Sequence, residues 1–236
     1  MHIAEGMLPL GWAAAYTGIA TPFLARGIWD YKRLAAREPS VRQLVGALTA
    51  AVFVISLLPV PVPITGTCSH PGGTPLAAVL AGPWLAMVMA LIALLFQALF
   101  LAHGGLTTLG ANTLTMGIFG GLTGYLVYRL LRRFGLDLAW AAGCAGFLGD
   151  LSIYLGSSLQ LALAIHGTTP WHQVWKVVFA AYLPTQLPLA LLEGILTGLA
   201  VGYVAARRPD LLARLGYALA QKGPPVPEGG VLREEK

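Results

Sequence analysis

Apolar residues run through this chain in long blocks separated by short polar stretches, without the alternation expected of half-buried strands. Residues 10–29 form the first block and predict a membrane helix. Residues 30–42 follow as a polar loop carrying Lys32, Arg33, Arg37 and Arg42. A second span covers 43–61 and contains Ala47-x-x-x-Ala51, a small-residue face that lets helices approach closely in lipid. Residues 63–75 are rich in the glycine, proline, threonine and serine of turns and helix starts. Thr74-Pro75 reads as an N-cap followed by proline at the first helical position. A short helix at 75–81 and a longer one at 83–102 come next, and further spans are expected at 110–131 and 138–165. The last block, 174–206, is too long for one straight crossing of roughly 20 residues. Pro184 and Pro188 are expected to break it into an interfacial segment and a final span. The reading is an all-α membrane protein of about seven transmembrane helices. The short 75–81 helix has a re-entrant segment as its alternative.

Charge then orients the bundle. Basic residues at 32–42, 129–133 and 207–208 mark cytoplasmic ends under the positive-inside rule. The N-terminus and the loops holding His70, His103 and 166–172 are therefore expected outside, and the C-terminus inside. Composition agrees: 56% of residues are hydrophobic and 11% charged, against about 25% charged in soluble domains. Mean hydropathy is +0.71. The net charge of +5 reflects loop topology in a lipid bilayer and implies no nucleic-acid partner. One membrane domain is expected at 1–216, with a proline-rich, mobile cytoplasmic tail at 217–236. No basic n-region of a signal peptide precedes the first span.

Chemistry concentrates at the start of the chain, Met1-His2-Ile3-Ala4-Glu5-Gly6. A free terminal amine, the backbone nitrogen of His2 and one of its imidazole nitrogens can close two fused rings on one ion. Three nitrogens then lie in a plane with a fourth corner open, a geometry that suits Cu(II) and Ni(II), and Co(II) where the protein enforces it. The arrangement needs Met1 in place, and its removal is disfavoured before a residue as large as His2. His70, on the same side in a Gly- and Pro-rich loop, is the best candidate for the fourth corner. His103 reads first as a helix-end histidine, with an outer-shell or transient-ligand role as the alternative. Glu5 is a candidate outer-shell partner, and Ser69 places a hydroxyl beside His70. Asn112 fits equally an N-cap of the fifth helix and a wall of the metal pocket. Asp150 and Glu193, in apolar helices where a carboxylate is costly, are expected to bond to the glycine beside each or to meet a partner subunit. Cys68 and Cys144 form no metal motif and read as packing residues, with a minor ligand role open for Cys68. No HExxH or Walker A pattern occurs. An enzyme reading would need a metal position open to substrate and a positioned base. A passive channel conflicts with tight chelation.

Several of these stretches resemble one known family. Met1-His2-Ile3-x-Glu5-Gly6-x-Leu8-Pro9, Thr65-Gly-Thr-Cys-Ser-His70-Pro-Gly-Gly and 94–112, from Leu94 through His103 to Asn112, are similar to signatures of CbiM. This is the substrate-binding membrane subunit, or S component, of energy-coupling-factor (ECF) cobalt transporters. Gly149-Asp150 and 184–194 resemble its late helices, so the likeness covers roughly 1–205. The resemblance implies an N-terminal segment tucked into the bundle and a transported ion held by the Met1 amine, the amide and imidazole of His2, and His70. It implies Co2+ feeding cobalamin biosynthesis, with Ni2+ as the alternative, and no resident cofactor. It also implies a multi-pass subunit of a prokaryotic inner membrane without ATPase activity of its own. Its partners would be a CbiQ-like transmembrane coupling protein, a CbiO-like cytoplasmic ATPase pair and a small CbiN-like accessory protein. Ala47 and Ala51 are the candidate contact for the coupling protein.

Overall fold

The computed structural model describes residues 2–37, 39–62 and 67–210. Met1, residues 63–66 and the expected tail at 217–236 lie outside them. Seven helices account for most of the described residues: α1 (Leu10–Arg37), α2 (Ser40–Ile55), α3 (Thr74–Ala81), α4 (Pro83–Leu101), α5 (Leu109–Arg133), α6 (Leu138–Ile165) and α7 (Trp171–Arg207). Four of them, α4 to α7, are long and apolar enough to cross a membrane, and α2 is a shorter apolar helix. Apolar side chains cover much of the outer surface, with Leu99, Phe100, Val177, Leu191 and Leu199 among those exposed. Such a surface is at home against lipid.

Four boundaries differ from the sequence reading, each for a local reason. The segment 30–42 is not all loop, because α1 continues to Arg37. Asp30, buried on α1, pairs with Arg26 at 3.3 Å and Arg33 at 3.4 Å, neighbours on one helix face that reward continuing the helix. The second span stops at Ile55 rather than 61. There Ser56 turns its hydroxyl back to the Val52 carbonyl, and two short antiparallel strands follow, β1 (Val60–Val62) and β2 (Thr67–Ser69), with Pro61 opposite Cys68. The cap of α3 is Gly73, not Thr74. Gly73 sits at φ 72°, a left-handed conformation that glycine adopts without strain. The Thr74 hydroxyl instead reaches across to the Met116 carbonyl at 2.6 Å. Finally, the prolines do not break the last stretch, since α7 runs unbroken through Pro184 and Pro188. One turn apart, they fall on the same side of α7. Helices in lipid tolerate proline where neighbouring groups satisfy the freed backbone.

All eight residues of α3 are buried. With a rise of about 1.5 Å per residue, α3 is too short to span a bilayer alone, as its 8 residues suggest. It forms the centre of the bundle, enclosed by α2, α4, α5, α6 and α7. The main apolar core joins Leu76, Val79 and Leu80 of α3 to Met89 of α4, Met116 of α5 and Ile153 of α6. α5 carries seven residues of wide π-type turns, Leu114–Gly120, where it packs chiefly against α6 and α4. Wide turns of this kind are frequent near functional sites. A second apolar cluster, built on Ile3, Leu8, Tyr16, Met87 and Ala111, seats the N-terminal segment against α1, α4 and α5.

Candidate metal centre

The N-terminal segment enters the bundle as extended chain because α5 offers it a complete set of hydrogen bonds. The Ile3 N–H donates to Asn112 Oδ1 at 2.9 Å. The Ile3 carbonyl accepts from Asn112 Nδ2 at 3.1 Å and from the Thr108 hydroxyl at 2.7 Å. One side chain thus serves both backbone groups of one residue, as a strand neighbour would. Two residues on, the Glu5 N–H donates to the Gly104 carbonyl at 3.1 Å. The Glu5 carboxylate accepts from the Thr107 hydroxyl and, at 3.2 Å, from the Thr107 N–H. These Thr107 bonds hold the exposed Glu5 carboxyl below its ordinary range. Asn112 therefore lines the pocket and does not cap α5, whose first residue is preceded by Thr108. Glu5 anchors the segment and does not touch a histidine ring among the described contacts.

His2 is buried as a result, and it meets His70. The His2 Nδ1 and His70 Nε2 atoms are 3.2 Å apart, with ring centroids 4.4 Å apart. The other nitrogen of His70, Nδ1, lies 3.0 Å from the Pro71 carbonyl. A carbonyl only accepts, so Nδ1 carries the hydrogen and Nε2 presents its lone pair to His2. An imidazole held from behind by a carbonyl is the usual arrangement of a metal-binding histidine. His2 Nε2 is buried and has no hydrogen-bond partner among the described residues. Burial, then the neighbouring imidazoles of His70 and His103, keeps His2 well below the ordinary histidine range. Burial does the same to His70. Both rings are neutral at physiological pH, the form that binds a metal.

His103 completes the cluster. Ala102 at φ 49° turns the chain at the end of α4, and the His103 N–H donates back to the Gln97 carbonyl at 3.1 Å. The His103 ring lies 4.6 Å from His2 and 5.5 Å from His70 between centroids. One donor nitrogen from each of the three histidines falls within 4.8 Å of the others. His103 is half-buried, and burial lowers it as well. It follows the helix end, as read from the sequence, but its ring belongs to the histidine cluster. The Ser69 hydroxyl lies 2.8 Å from the Thr185 hydroxyl of α7 and so ties β2 to that helix. Ala47 is exposed and Ala51 half-buried on α2.

The loop that presents His70 is held from below by groups the sequence reading left apart. The Tyr154 hydroxyl accepts the His70 N–H at 2.7 Å and donates to the His70 carbonyl at 2.9 Å. Asp150 and Glu193 do not bond to the glycines beside them. The Gly72 N–H donates to Glu193 Oε2 at 2.5 Å, with Asp150 Oδ1 at 3.2 Å, and the Gly73 N–H donates to Glu193 Oε1 at 2.9 Å. Gln186 Nε2 donates to Asp150 Oδ2. The two membrane carboxylates thus satisfy the backbone of the turn immediately after His70, where an unpaired N–H would be costly. Tyr154, Gln186, Thr107 and Thr108 escaped the sequence reading. A helical-face signal existed, because Asp150 and Tyr154 are one turn apart, as are successive positions leading from Gln186 to Glu193.

Donors at this centre are nitrogen-rich, and the carboxylates of Glu5, Asp150 and Glu193 are engaged by Thr107 and by the backbone of Gly72 and Gly73. Imidazole sets of this type suit late first-row divalent ions over Mg2+ or Ca2+. Comparison with known proteins points the same way. Residues 2–211 match the family model CbiM, described as the cobalt uptake substrate-specific transmembrane region. A protein named cobalt transport protein CbiM from Geobacter sulfurreducens is 50% identical over 216 residues, which are 92% of this chain and 62% of that one, so the chain spans under two thirds of its length. A protein of the same name from Sorangium cellulosum is also 50% identical, over 91% of this chain and 96% of its own. A putative cobalt transport protein CbiM from Methanocaldococcus jannaschii is 43% identical over 98% of this chain and 100% of its own. A solved structure described as a transition metal transporter superposes with a TM-score of 0.80 at 27% identity, covering 94% of this chain and 100% of that one. A truncated transition metal transporter gives 0.77 at 27% identity, covering 87% and 99%. With three of its five histidines gathered in one cluster of the bundle and a family match along almost its whole described length, the chain belongs to the CbiM family.

Proposed function

We propose that this chain is the ion-capturing S component of an ATP-driven energy-coupling-factor importer of Co2+, with the ion held by the Met1 amine, the His2 amide and imidazole, and His70. The observation that carries the reading is the buried pair of His2 Nδ1 and His70 Nε2, 3.2 Å apart. Metal–nitrogen bonds of about 2.0 Å place adjacent corners of a square about 2.8 Å apart and the ligands of a tetrahedron about 3.3 Å apart. The pair falls between these values, so a small closure of the two rings suffices for a planar site. Binding releases protons from the amine and the amide, moves the Nδ1 hydrogen of the neutral His2 ring to Nε2, and weakens as pH falls. Capture without turnover is the role the residues support. A hydrolytic metal enzyme needs a positioned base, but Glu5 is occupied by Thr107, and Asp150 and Glu193 by the 72–73 backbone.

The working cycle follows. The ion is taken at the outer face of a prokaryotic inner membrane. A CbiO-like ATPase pair, acting through a CbiQ-like coupling protein at the Ala47–Ala51 face and aided by a CbiN-like accessory protein, moves the subunit and releases the ion inside for cobalamin biosynthesis. Metal analysis of the purified chain after exposure to equal cobalt and nickel tests the ion. One bound equivalent, mostly cobalt, is expected, and a predominance of nickel overturns the cobalt assignment. Uptake into vesicles that proceeds without the ATPase pair overturns the transporter assignment.

A further inference from the structure

The chelate proposed above leaves Cys68 and His103 unused. Cys68 Sγ lies 3.5 Å from His103 Nε2. The two residues come from separate elements, β2 and the turn after α4, and both are half-buried, whereas His2 and His70 are fully buried. Neither residue is placed by accident of a floppy loop. Cys68 is paired with Pro61 in the β1–β2 ladder, and His103 is fixed by the Ala102 turn and its bond to Gln97. An ion with a metal–sulfur bond of about 2.3 Å and a metal–nitrogen bond of about 2.0 Å sets the two ligands about 3.5 Å apart in a tetrahedron and about 3.0 Å apart at a square corner. The pair already has the tetrahedral spacing.

Position adds to chemistry. The His103 ring packs edge-on against His2, whose Nε2 is buried without a partner among the described residues. Donor nitrogens of His2, His70 and His103 lie within 4.8 Å of one another. An ion on Cys68 and His103 is thus one ligand exchange away from His2 and His70, and it would approach them from the less buried side.

We propose that Cys68 Sγ and His103 Nε2 form a second, shallower metal site that takes a divalent ion of the Co2+ or Zn2+ type in tetrahedral geometry and passes it to His2 and His70. The thiol proton leaves to solvent as the ion binds. Two protein donors hold the ion more loosely than a four-nitrogen chelate, so it can move on. A sulfur and an imidazole gain little from Mg2+ or Ca2+, which makes the pair a first filter against the abundant hard cations. The proposal rests on the reading of His2 and His70 as the inner site.

Thiolate bound to Co2+ gives an intense near-ultraviolet charge-transfer band that nitrogen ligands do not. The test mixes Co2+ with the purified chain and follows that band in time. In the unaltered protein it should rise and then decay as the ion moves inward. In His70→Ala it should rise and persist. Cys68→Ser and His103→Gln should each abolish it, and Cys144→Ser should leave it unchanged. Equilibrium cobalt content near that of the unaltered protein shows that Cys68→Ser is folded. Cobalt bound with no band at any time, or a band that survives Cys68→Ser, overturns the outer site and leaves the inner one standing. A band that persists in a protein unaffected by His70→Ala supports the outer site and counts against the inner one.

Discussion

Tyr154 grips both backbone groups of His70 with one hydroxyl, accepting the N–H at 2.7 Å and donating to the carbonyl at 2.9 Å. Through this contact a side chain from the middle of α6 decides where the His70 ring stands. Tyr154→Phe keeps the ring and its packing against Tyr182 but leaves two buried backbone groups unpaired. A stability loss of about 1–3 kcal/mol is expected from thermal unfolding. Cobalt affinity, measured by calorimetry, should fall about 10–100-fold, the usual cost of losing a partner that orients a ligand. A variant with the affinity of the unaltered protein would show that Tyr154 does not position His70.

Glu193 carries more of the loop than Asp150, because it accepts from both Gly72 and Gly73 whereas Asp150 shares only the first. Glu193→Ala should therefore destabilise more than Asp150→Ala, with a cost on the order of 2–4 kcal/mol for the loss of acceptors to two buried N–H groups. Glu193→Gln keeps one carbonyl acceptor and should fall between Glu193→Ala and the unaltered protein. Unfolding midpoints of the three variants give the order. Equal effects of the two alanine substitutions would contradict it.

Much of this was legible in the sequence, and the remainder has a physical explanation. The helix Leu138–Ile165 was bounded correctly because Asp137 gives a clear side-chain cap to Ala139 and Trp140 and apolar residues fill the rest. His2 and His70 could be paired because both precede spans expected to start on one side of the membrane. Asn112 could not be assigned, since its contact with Ile3 closes across 109 residues of sequence. Asp150 and Glu193 were recognised as costly, but their partners, Gly72 and Gly73, offer only backbone and carry no sequence signal. The uninterrupted α7 was missed for a similar reason. Proline is a local signal for a break, while the packing of α7 along α6 that carries the helix through is a tertiary one.

Acid should weaken the metal-free protein through its histidines. Burial holds His2 and His70 well below the 6.5 of an unperturbed histidine. Above pH 6.5 the rings are neutral whether the chain is folded or not, and they add no pH dependence. As pH falls below 6.5 the unfolded chain takes up protons that the folded rings refuse, and stability drops toward about 1.4 kcal/mol per pH unit for each histidine. Unfolding midpoints of the unaltered protein and of a His2→Asn, His70→Asn double variant, taken between pH 8 and pH 5, should diverge only on the acid side. Parallel curves would contradict the burial of the two rings.

Gly105 lets the N-terminal segment lie flat against the 104–108 turn. A Cβ there would stand 2.7 Å from Glu5 Cα and collide with Glu5 Oε2, too close for the segment to stay. Gly105→Ala should lift residues 2–5 from their seat, and Asn112→Ala should remove two of the three bonds that hold Ile3. Both variants should lose cobalt affinity by tenfold or more, on the scale of a displaced ligand partner, while the far end of the bundle keeps its melting behaviour. Protease cleavage near residue 5, followed by mass spectrometry, should quicken in both. Unchanged cleavage and affinity would show that the seat does not govern the site.

The central claim is that the chain's own start is the chelating group, with His2 in register against His70. One alanine inserted between Met1 and His2 leaves every side chain from His2 onward in place but changes the ring that joins amine, amide and imidazole. Equilibrium binding of Co2+ to the purified protein, with and without the inserted residue, is the direct measurement. The account predicts that the insertion abolishes high-affinity binding while the protein melts as before. Cobalt binding equal to that of the unaltered protein would contradict it.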